Sequence, residues 1–194
     1  MSLPFMLPVV TTREYLNTER RSEDRHEYLD GSVYLMAGES LAHSTICFNL
    51  AAIVGQQLWG MPCRGLSPNM KVRAGEEGLY AYPDLAVVCG EPVFHDEHGD
   101  VLVNPTVIFE VLSRSTAAYD RGEKSLRYRT QIETLQDFVV VEQDRPHVER
   151  LSRQPGGTWE TGEVSGLGGV LNLDSIQCRV PLADLYSRIT FAES

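Results

Sequence analysis

The chain has 194 residues, 42% of them hydrophobic and 23% charged, which is enough for one globular domain with a substantial core and too little for two. Its formal net charge of −10 argues against general affinity for nucleic acid, because phosphate binding needs a basic surface. No apolar run approaches the roughly 18 residues of a membrane span, and the apolar amino terminus follows no basic region, so the sequence predicts a cytoplasmic protein without a membrane anchor.

Near the amino terminus the sequence predicts a short helix and then a β-hairpin. Thr11 and Glu14 stand three residues apart, the spacing of a capping box, at the start of TREYLNT. Asp30 and Gly31 separate two runs of alternating polarity, which is a strong signal for a hairpin with a type I′ turn.

A long helix is predicted to begin after Ser40, which can cap it, and to end before Gly60 and Pro62. Its apolar residues recur at helical spacing, so one face of the helix is expected to be buried. The residues of this face are Ile46, Leu50, Ile53, Val54 and Leu58. His43 belongs to the same face, near the start of the helix.

The middle of the chain predicts strands. Residues 64–75 indicate one strand that ends in a turn. Residues 83–88 and 107–113 are apolar runs bounded by Pro, Gly and Asn, as expected of strands in the interior of a sheet. Residues 91–105 between them are a polar, turn-rich excursion.

The last third of the chain predicts a helix, further strands and a closing helix. Thr116 or Ser115 can cap the helix that runs through Arg121 to Thr130. The remaining predicted elements are a hairpin of residues 135–144 and 147–153, a weaker edge strand at 156–164, a strand at 171–180 and a helix at 181–188. No repeat or domain boundary interrupts this pattern, so we predict a single α/β domain, residues 1–194, with a mixed sheet.

The four cysteines stand far apart and include no CxxC pair, so the spacing of zinc ligands is missing. Cys47 and Cys89 lie in apolar contexts, which is the usual environment of a buried thiol. We therefore predict that both are free cysteines in the core.

Two carboxylates stand in the apolar strands of the middle region. Asp84 begins one run, and Glu110 lies inside the other, VIFEVL. Alternation along the strand groups Glu110 with Ile108 and Leu112 on one face. A carboxylate in such a run is costly to bury unless something pairs with it. Lys124 follows on the predicted helix, so the chain holds the parts of a divalent-metal site, because hard cations take oxygen ligands from more than one segment.

Each of these residues also has an ordinary structural interpretation. Glu110 can be a core acid neutralised by an arginine, Asp84 a residue that starts a strand, and Lys124 a solvated helix lysine. The three together favour the functional interpretation, since functional sites collect buried acids. The HDEH segment, His95 to His98, lies in a polar loop and is interpreted as surface histidines.

The order of the motifs RHEYLDG, YPDLAVV, IFEVLSRST, DRGEK and LRYR, with a helix after the first, resembles the Uma2 (DUF820) family. That family belongs to the PD-(D/E)xK superfamily of restriction-endonuclease-like proteins, and the similarity runs from about Thr11 to the closing helix. The resemblance implies a restriction endonuclease-like core, with a central mixed β-sheet flanked by helices, and a metal-dependent nuclease activity.

The resemblance also implies the roles of individual residues. The Pro-Asp dipeptide that ends at Asp84 matches the PD element, Glu110 matches the second acid, and Glu27 matches the upstream acid of such sites. Glu27 lies on the first hairpin strand, at a position that can face inward. Asp84 and Glu110, helped by Glu27 and the backbone carbonyl of Val111, would hold Mg²⁺ or Mn²⁺.

In one respect the chain departs from the superfamily pattern. The superfamily lysine usually stands two positions after the second acid, where this chain has Leu112. The resemblance implies that Lys124, on the following helix, takes its place. His43 and Tyr128 are candidates for residues that support the site, and the superfamily also implies a homodimer.

We therefore expect an endonuclease that hydrolyses DNA, in which Lys124 orients the attacking water or stabilises the transition state. A second hypothesis keeps the fold without catalysis and makes the protein an interaction or regulatory module, which the net charge of −10 favours. A third, a carboxylate-pair hydrolase of sugars, is disfavoured by an aromatic content of only 8%. The chain has no GxSxG motif that would indicate a serine nucleophile.

Overall fold

The structure is a computed structural model that describes residues 9–36, 38–76, 78–113 and 116–191. Its α-helices are α1 (Thr12–Glu19), α2 (Leu41–Gln57), α3 (Ala117–Tyr119), α4 (Ser125–Gln131) and α5 (Leu182–Leu185). A π-helical turn, Asp120–Lys124, joins α3 to α4, and a 3₁₀ turn spans Asp174–Ile176. Within these ranges, no helix combines the length and the apolar character that crossing a membrane requires.

The β-strands are β1 (His26–Leu29), β2 (Ser32–Leu35), β3 (Cys63–Leu66), β4 (Lys71–Ala74), β5 (Leu79–Ala81), β6 (Leu85–Cys89), β7 (Val101–Leu102), β8 (Val107–Leu112), β9 (Asp137–Glu142), β10 (His147–Arg153), β11 (Trp159–Ser165), β12 (Val170–Leu173) and β13 (Cys178–Pro181). They form a five-stranded sheet in the order β2-β1-β5-β4-β7, a six-stranded sheet in the order β11-β10-β9-β8-β6-β3, and the pair β12-β13. The two larger sheets are mixed, because β4 pairs with β7, and β8 with β9, in parallel. The predicted α/β fold with a mixed sheet is confirmed, but its strands divide among three sheets rather than one.

The first elements, α1 and the β1–β2 hairpin, form where local sequence signals predict them. The Thr11 hydroxyl accepts a hydrogen bond from the Glu14 N–H at 3.2 Å, and the Glu14 carboxylate accepts one from the Thr11 N–H at 2.9 Å. These reciprocal bonds are the predicted capping box. In the β1–β2 turn, Asp30 and Gly31 have φ values of 46° and 90°, as a type I′ turn requires, so the predicted hairpin is confirmed.

The long helix α2 also follows its prediction. The Ser40 hydroxyl caps it by accepting a hydrogen bond from the His43 N–H at 3.1 Å. The predicted inner face is buried at Ile46, Leu50, Val54 and Leu58 and partly buried at Ile53. At the other predicted cap, Thr116 makes no capping hydrogen bond to α3, and Ser115 lies outside the described residues.

Strand β8 separates two hydrophobic cores, and its alternating side chains belong to one or the other. Val107, Phe109 and Val111 pack with the inner face of α2. Ile108 and Leu112, on the opposite face, pack with residues of α4, of β9 and of the segment that joins them. The predicted alternation is confirmed, and Glu110 belongs by position to the second face.

Two predicted strands are each divided in the structure. Residues 64–75 form β3 and β4, which belong to different sheets, because a turn closed by the Met70 N–H and the Ser67 carbonyl lies between them. Residues 171–180 form β12 and β13, which pair with each other around a turn that ends at Gln177, with φ of 53°. The closing helix is only the four residues of α5.

The prediction that Cys89 is a free thiol is wrong. Strands β3 and β6 pair with Cys63 opposite Cys89, and the two residues form a disulfide. The two cysteines are separated by 26 positions in the sequence, so nothing in their spacing indicated the contact. Cys47 and Cys178 are free cysteines.

A cluster of ion pairs joins α1 to the five-stranded sheet. The Arg20 guanidinium donates to the carboxylates of Asp96, at 2.8 Å, and Asp100, at 2.7 Å. The buried Lys71 ammonium, on β4, lies 3.2 Å from Asp100. Burial works to raise the pKa of the Asp100 carboxyl, but the hydrogen bond from Arg20 and the charge of Lys71 outweigh it and lower the pKa from 3.8 to about 2.

The Asp100→Asn substitution is expected to lower the free energy of unfolding by about 1–2 kcal/mol at neutral pH, since the buried Lys71 ammonium loses its carboxylate. A carboxyl with a lowered pKa stabilises the fold above its unfolded value of 3.8, and the contribution is lost as the pH falls through about 2. In urea unfolding, the difference in the free energy of unfolding between wild type and variant should therefore disappear at acidic pH. Asp24→Asn, at an exposed carboxylate, is the control, and a gap of constant size down to pH 2 would contradict the assignment.

Candidate active site

Asp84 and Glu110 lie at the same level of two neighbouring strands. β6 and β8 pair antiparallel with Leu85 opposite Phe109. Asp84 precedes Leu85 and Glu110 follows Phe109, so the two acids lie opposite each other. The Asp84 carboxylate accepts a hydrogen bond from the Val111 N–H at 2.6 Å. The two acids and the residue predicted to contribute a backbone ligand are therefore gathered at one end of this strand pair.

Glu110 is a buried acid with an incompletely bonded carboxylate. Its Oε1 accepts no hydrogen bond from the described residues, because the Lys124 ammonium, 3.0 Å away, is at ion-pair distance but outside hydrogen-bonding geometry. Burial raises the pKa of Glu110 well above its ordinary value of 4.5, and the attraction of Lys124 only partly offsets this. A cation close to Oε1 would therefore stabilise the ionised form of this side chain.

Lys124 is the centre of a buried ion cluster. Its ammonium donates to the Glu27 carboxylate at 2.9 Å and lies 3.0 Å from Glu110 and 3.6 Å from Asp120. Burial works to lower the pKa of Lys124, but the charges of Glu110 and Glu27 outweigh it and raise the pKa well above 10.5. Within the described residues, one cation thus faces three carboxylates, so the cluster can accommodate further positive charge.

Lys124 reaches this cluster from the last position of the π-helical turn. Such turns widen a helix locally and are frequent at functional sites. Asp120, at the first position of the turn, is buried beside Lys124 and was not predicted as a site residue. Its only sequence signal was the spacing of four from Lys124 in DRGEK. Gly122, inside the turn, is not required for space, because a Cβ there would meet nothing within 4 Å.

His43, at the start of α2, stands beside Asp84. Its Nε2 lies 3.5 Å from the Asp84 carboxylate, and its Nδ1 lies 3.5 Å from the Cys47 sulfur. Burial works to lower the pKa of His43, but Asp84, the charge of Glu39 and the Val111 backbone outweigh it and raise the pKa above 6.5. The ring is therefore positioned to hold the Asp84 carboxylate in place.

These residues line one cavity of about 1160 Å³. Among the described residues that line it, the acidic ones are Glu27, Glu39, Asp84, Glu110, Asp120 and Asp144, and the basic ones are Arg25 and Lys124. Aromatic side chains, among them Tyr34, Tyr82, Tyr119 and Phe191, line it as well. The cavity is large enough for a small substrate or part of a polymer, and its excess of carboxylates favours a bound cation.

Among the described residues, two groups of three side chains have ligand atoms within 4.8 Å of one another. One group is His43, Cys47 and Asp84, at the cavity, and the other is Glu142, His147 and Glu149. In the second group, Glu142 accepts hydrogen bonds from two arginines and Glu149 from one of them, so their oxygens are already satisfied. Glu110 belongs to neither group, and Lys124 is its charged neighbour instead.

The structure brings some predicted site residues into contact and only places others nearby. Glu27 and Glu110 both meet Lys124, whereas no ion pair within the described ranges joins Lys124 to Asp84. Tyr128 is fully buried, and its hydroxyl has no hydrogen-bond partner among the described residues. The sequence interpretation of His95 to His98 holds in part, since His98 is exposed and His95 is half-buried beside Arg73.

Comparison with known proteins gives two curated relatives in Synechocystis sp. (strain ATCC 27184 / PCC 6803 / Kazusa). The uncharacterized protein sll1609 is 30% identical over 158 residues, which cover 81% of this chain and 89% of the relative. The uncharacterized protein slr1290 is 33% identical over 159 residues, 81% of this chain and 80% of the relative. Both relatives therefore match along most of their length.

Among solved structures, a crystal structure described as a putative nuclease belonging to DUF820, from Anabaena variabilis ATCC 29413, has the same fold. The TM-score is 0.76, over 93% of this chain and 99% of that one, at 18% sequence identity. The family model of Uma2, described as "Putative restriction endonuclease", matches residues 12–183. This match spans most of the chain, so the protein belongs to the Uma2 family.

Proposed function

We propose that this protein is an endonuclease that hydrolyses phosphodiester bonds in DNA with the aid of Mg²⁺ or Mn²⁺. The observation that carries the proposal is the gathering of Asp84, Glu110 and Lys124 on one cavity from distant parts of the sequence. The description of the family and the fold of the solved relative point to the same class of activity.

Asp84, Glu110 and the Val111 carbonyl are the residues that would hold the cation. Hard divalent ions prefer oxygen ligands, and Glu110 Oε1 is a buried oxygen that accepts no hydrogen bond from the described residues, although the Lys124 ammonium lies 3.0 Å away. When bound, such an ion lowers the pKa of a coordinated water and neutralises charge on a phosphate. The His43 ring, beside Asp84, would fix the orientation of that carboxylate.

Lys124 would act through its charge rather than as a base. Its raised pKa keeps the ammonium protonated at neutral pH, so it has no lone pair with which to accept a proton. The contact with Glu27 holds it in one orientation, and from there it would orient a water molecule or stabilise the negative charge that develops on the phosphate. Glu27 would be a positioning residue for Lys124.

The charge of the cavity explains how an acidic protein could act on DNA. Among the described residues, six carboxylates and two basic side chains line it, so this part of the lining would repel a phosphate in the absence of added cations. Bound divalent ions would reverse this sign locally while the outer surface stays acidic. The net charge of −10 is therefore compatible with a substrate that is held mainly at the site itself.

The Asp84→Asn substitution is expected to reduce metal-dependent nicking of supercoiled plasmid by roughly 100-fold or more, because it removes a charged ligand without changing the size of the side chain. The matched control is Asp144→Asn, on the exposed rim of the same cavity, which should cleave at the wild-type rate. The proposal would be contradicted if cleavage continued after a chelator had removed the divalent ions, or if the two variants cleaved equally.

The second hypothesis, an interaction or regulatory module without catalysis, also has an observation in its favour. Glu27, Glu110 and Asp120 share one lysine, which is how a protein can satisfy buried acids with no catalytic purpose. Calorimetric titration with Mg²⁺ and Mn²⁺ in the absence of DNA separates the two. A metal that fails to bind would favour the module.

Three further expectations from the sequence stay predictions: one domain over residues 1–194, a homodimer and a cytoplasmic location. The Cys63–Cys89 disulfide counts against the last of them, since disulfides are rare in cytosolic proteins.

A further inference from the structure

Helix α2 is apolar on the side that faces away from the core as well as on its inner side. Leu41, Phe48 and, just beyond the helix, Trp59 are 86%, 75% and 91% exposed. No Asp, Glu, Lys or Arg occurs from residue 40 to residue 60. The exposed side also carries Ser44, Gln56 and Gln57, which are uncharged. Large exposed apolar patches mark sites of interaction.

Leu41 and Phe48 lie along one line of the helix, and Trp59, just beyond its end, continues their spacing in the sequence. Phe48 follows Leu41 by seven positions and Trp59 follows Phe48 by eleven, which are close to two and three helical turns. Smaller side chains fill the same line between them. The residues of this α2 stripe are Leu41, Thr45, Phe48, Ala52, Gly55 and Trp59. The Thr45 hydroxyl donates to the Leu41 carbonyl at 2.7 Å, so its hydrogen-bonding capacity is turned back to the helix.

The chemistry of the α2 stripe disfavours two kinds of partner, nucleic acid and a membrane surface. Nucleic acid is disfavoured because the helix offers no cation to a phosphate. A membrane surface is disfavoured because helices that lie in the interface carry Lys and Arg on their polar face, and an acidic protein is repelled by anionic lipids. The partner that fits is an uncharged apolar protein surface.

The α2 stripe is complementary to itself. Consider two antiparallel α2 helices related by a two-fold axis that crosses them at the height of residue 50. In this register Phe48 faces Ala52, and Thr45 faces Gly55. Leu41 faces Trp59 at both ends of the pair. Each bulky residue near the centre thus meets a small one, which lets the helices approach closely.

The charge of the protein favours the same face. Two copies that each carry a net charge of −10 repel each other through most of their surface. The α2 stripe brings no charged side chain of its helix to the contact, so it is a surface through which two copies can meet without that cost.

We propose that the α2 stripe is the interface of a homodimer in which the two α2 helices pack antiparallel. The inference is independent of the nuclease proposal and holds for a protein of either function. His43 is on the buried side of α2, so its contact with Asp84 lies on the opposite side of the helix from this interface.

Sedimentation equilibrium over a wide range of concentrations tests the proposal. Wild type should show a reversible monomer–dimer equilibrium, and Phe48→Glu should raise its dissociation constant by about 100-fold, since two carboxylates are placed against apolar side chains. The matched control is Leu126→Glu, at an exposed apolar residue of α4, which should dimerise like wild type. In parallel, quenching of Trp59 fluorescence by iodide should decrease as the dimer forms.

A mixing experiment tests the predicted register. Phe48→Lys and Ala52→Glu should each dimerise weakly alone, whereas an equimolar mixture should form heterodimers, because residues 48 and 52 face each other. A protein that stays monomeric would overturn the proposal, whether Trp59 is open to iodide or is shielded by another part of the same chain. A dimer that is equally strong in Phe48→Glu would overturn it as well.

Discussion

Replacing Lys124 with methionine is expected to lower the free energy of unfolding by about 3–5 kcal/mol at neutral pH and to abolish DNA cleavage. Lys124 is buried and is the charged partner of Glu27, Glu110 and Asp120. Methionine replaces the aliphatic part of the side chain but leaves three carboxylates without the ammonium. The loss is large because breaking a buried ion cluster costs more than the cluster contributes when intact.

The sign of the pH dependence follows from the pKa shifts. A lysine whose pKa is raised in the folded state stabilises the fold below its unfolded value of 10.5, so the whole effect is present at neutral pH. In the variant, protonation of the carboxylates relieves their repulsion, so the gap from wild type should narrow as the pH falls. Urea unfolding at several pH values measures both effects.

Arg127→Met provides the control for the Lys124 substitution. Arg127 forms ion pairs with Asp30 and Glu123 at a more exposed place, where such pairs are worth about 1 kcal/mol or less. A Lys124→Met protein as stable as Arg127→Met would show that the ammonium is not what holds the three acids together.

Compared with Lys124→Met, the Glu110→Gln substitution is expected to have the opposite effect on stability and the same effect on DNA cleavage. Cleavage should fall by roughly 1000-fold, because a charged metal ligand is lost, while the free energy of unfolding of the metal-free protein should stay the same or rise. Burial raises the pKa of Glu110, so the ionised carboxylate destabilises the fold. Lys124 keeps its hydrogen bond to Glu27 in this variant.

The stability difference should depend on pH and on metal. A carboxyl with a raised pKa destabilises the fold as the pH rises above its unfolded value of 4.5, and glutamine does not ionise, so the gain of the variant should develop above that pH. Mg²⁺ should raise the melting temperature of wild type but not that of Glu110→Gln. A Glu110→Gln protein that loses several kcal/mol without metal would indicate a purely structural ion pair.

The two substitutions together separate a functional site from a structural one. Lys124 and Glu110 are partners at 3.0 Å, and in an ordinary buried ion pair the loss of either partner destabilises the protein. Here the cluster has an excess of acids, so removal of a cation and removal of an anion should act in opposite directions. This asymmetry is what a site prepared for an additional cation would show.

Features that depend only on neighbouring residues could be predicted from the sequence. The Thr11–Glu14 capping box and the turn at Asp30 and Gly31 were predicted correctly because their hydrogen bonds and dihedral angles involve residues no more than three positions apart. The alternation that set Glu110 apart from Val111 follows from the period of a strand and was equally visible.

Contacts between residues that lie far apart in the sequence became visible only in the folded protein. The contact of Lys124 with Glu27 spans 97 positions, and the disulfide joins cysteines 26 positions apart, so neither left a local pattern to read. The same holds for the assignment of β3 and β4 to different sheets. Asp120 and Lys124 are four positions apart, a spacing that is visible in the sequence, but that both are buried in the ion cluster follows from the packing of the π-helical turn against β1 and β8.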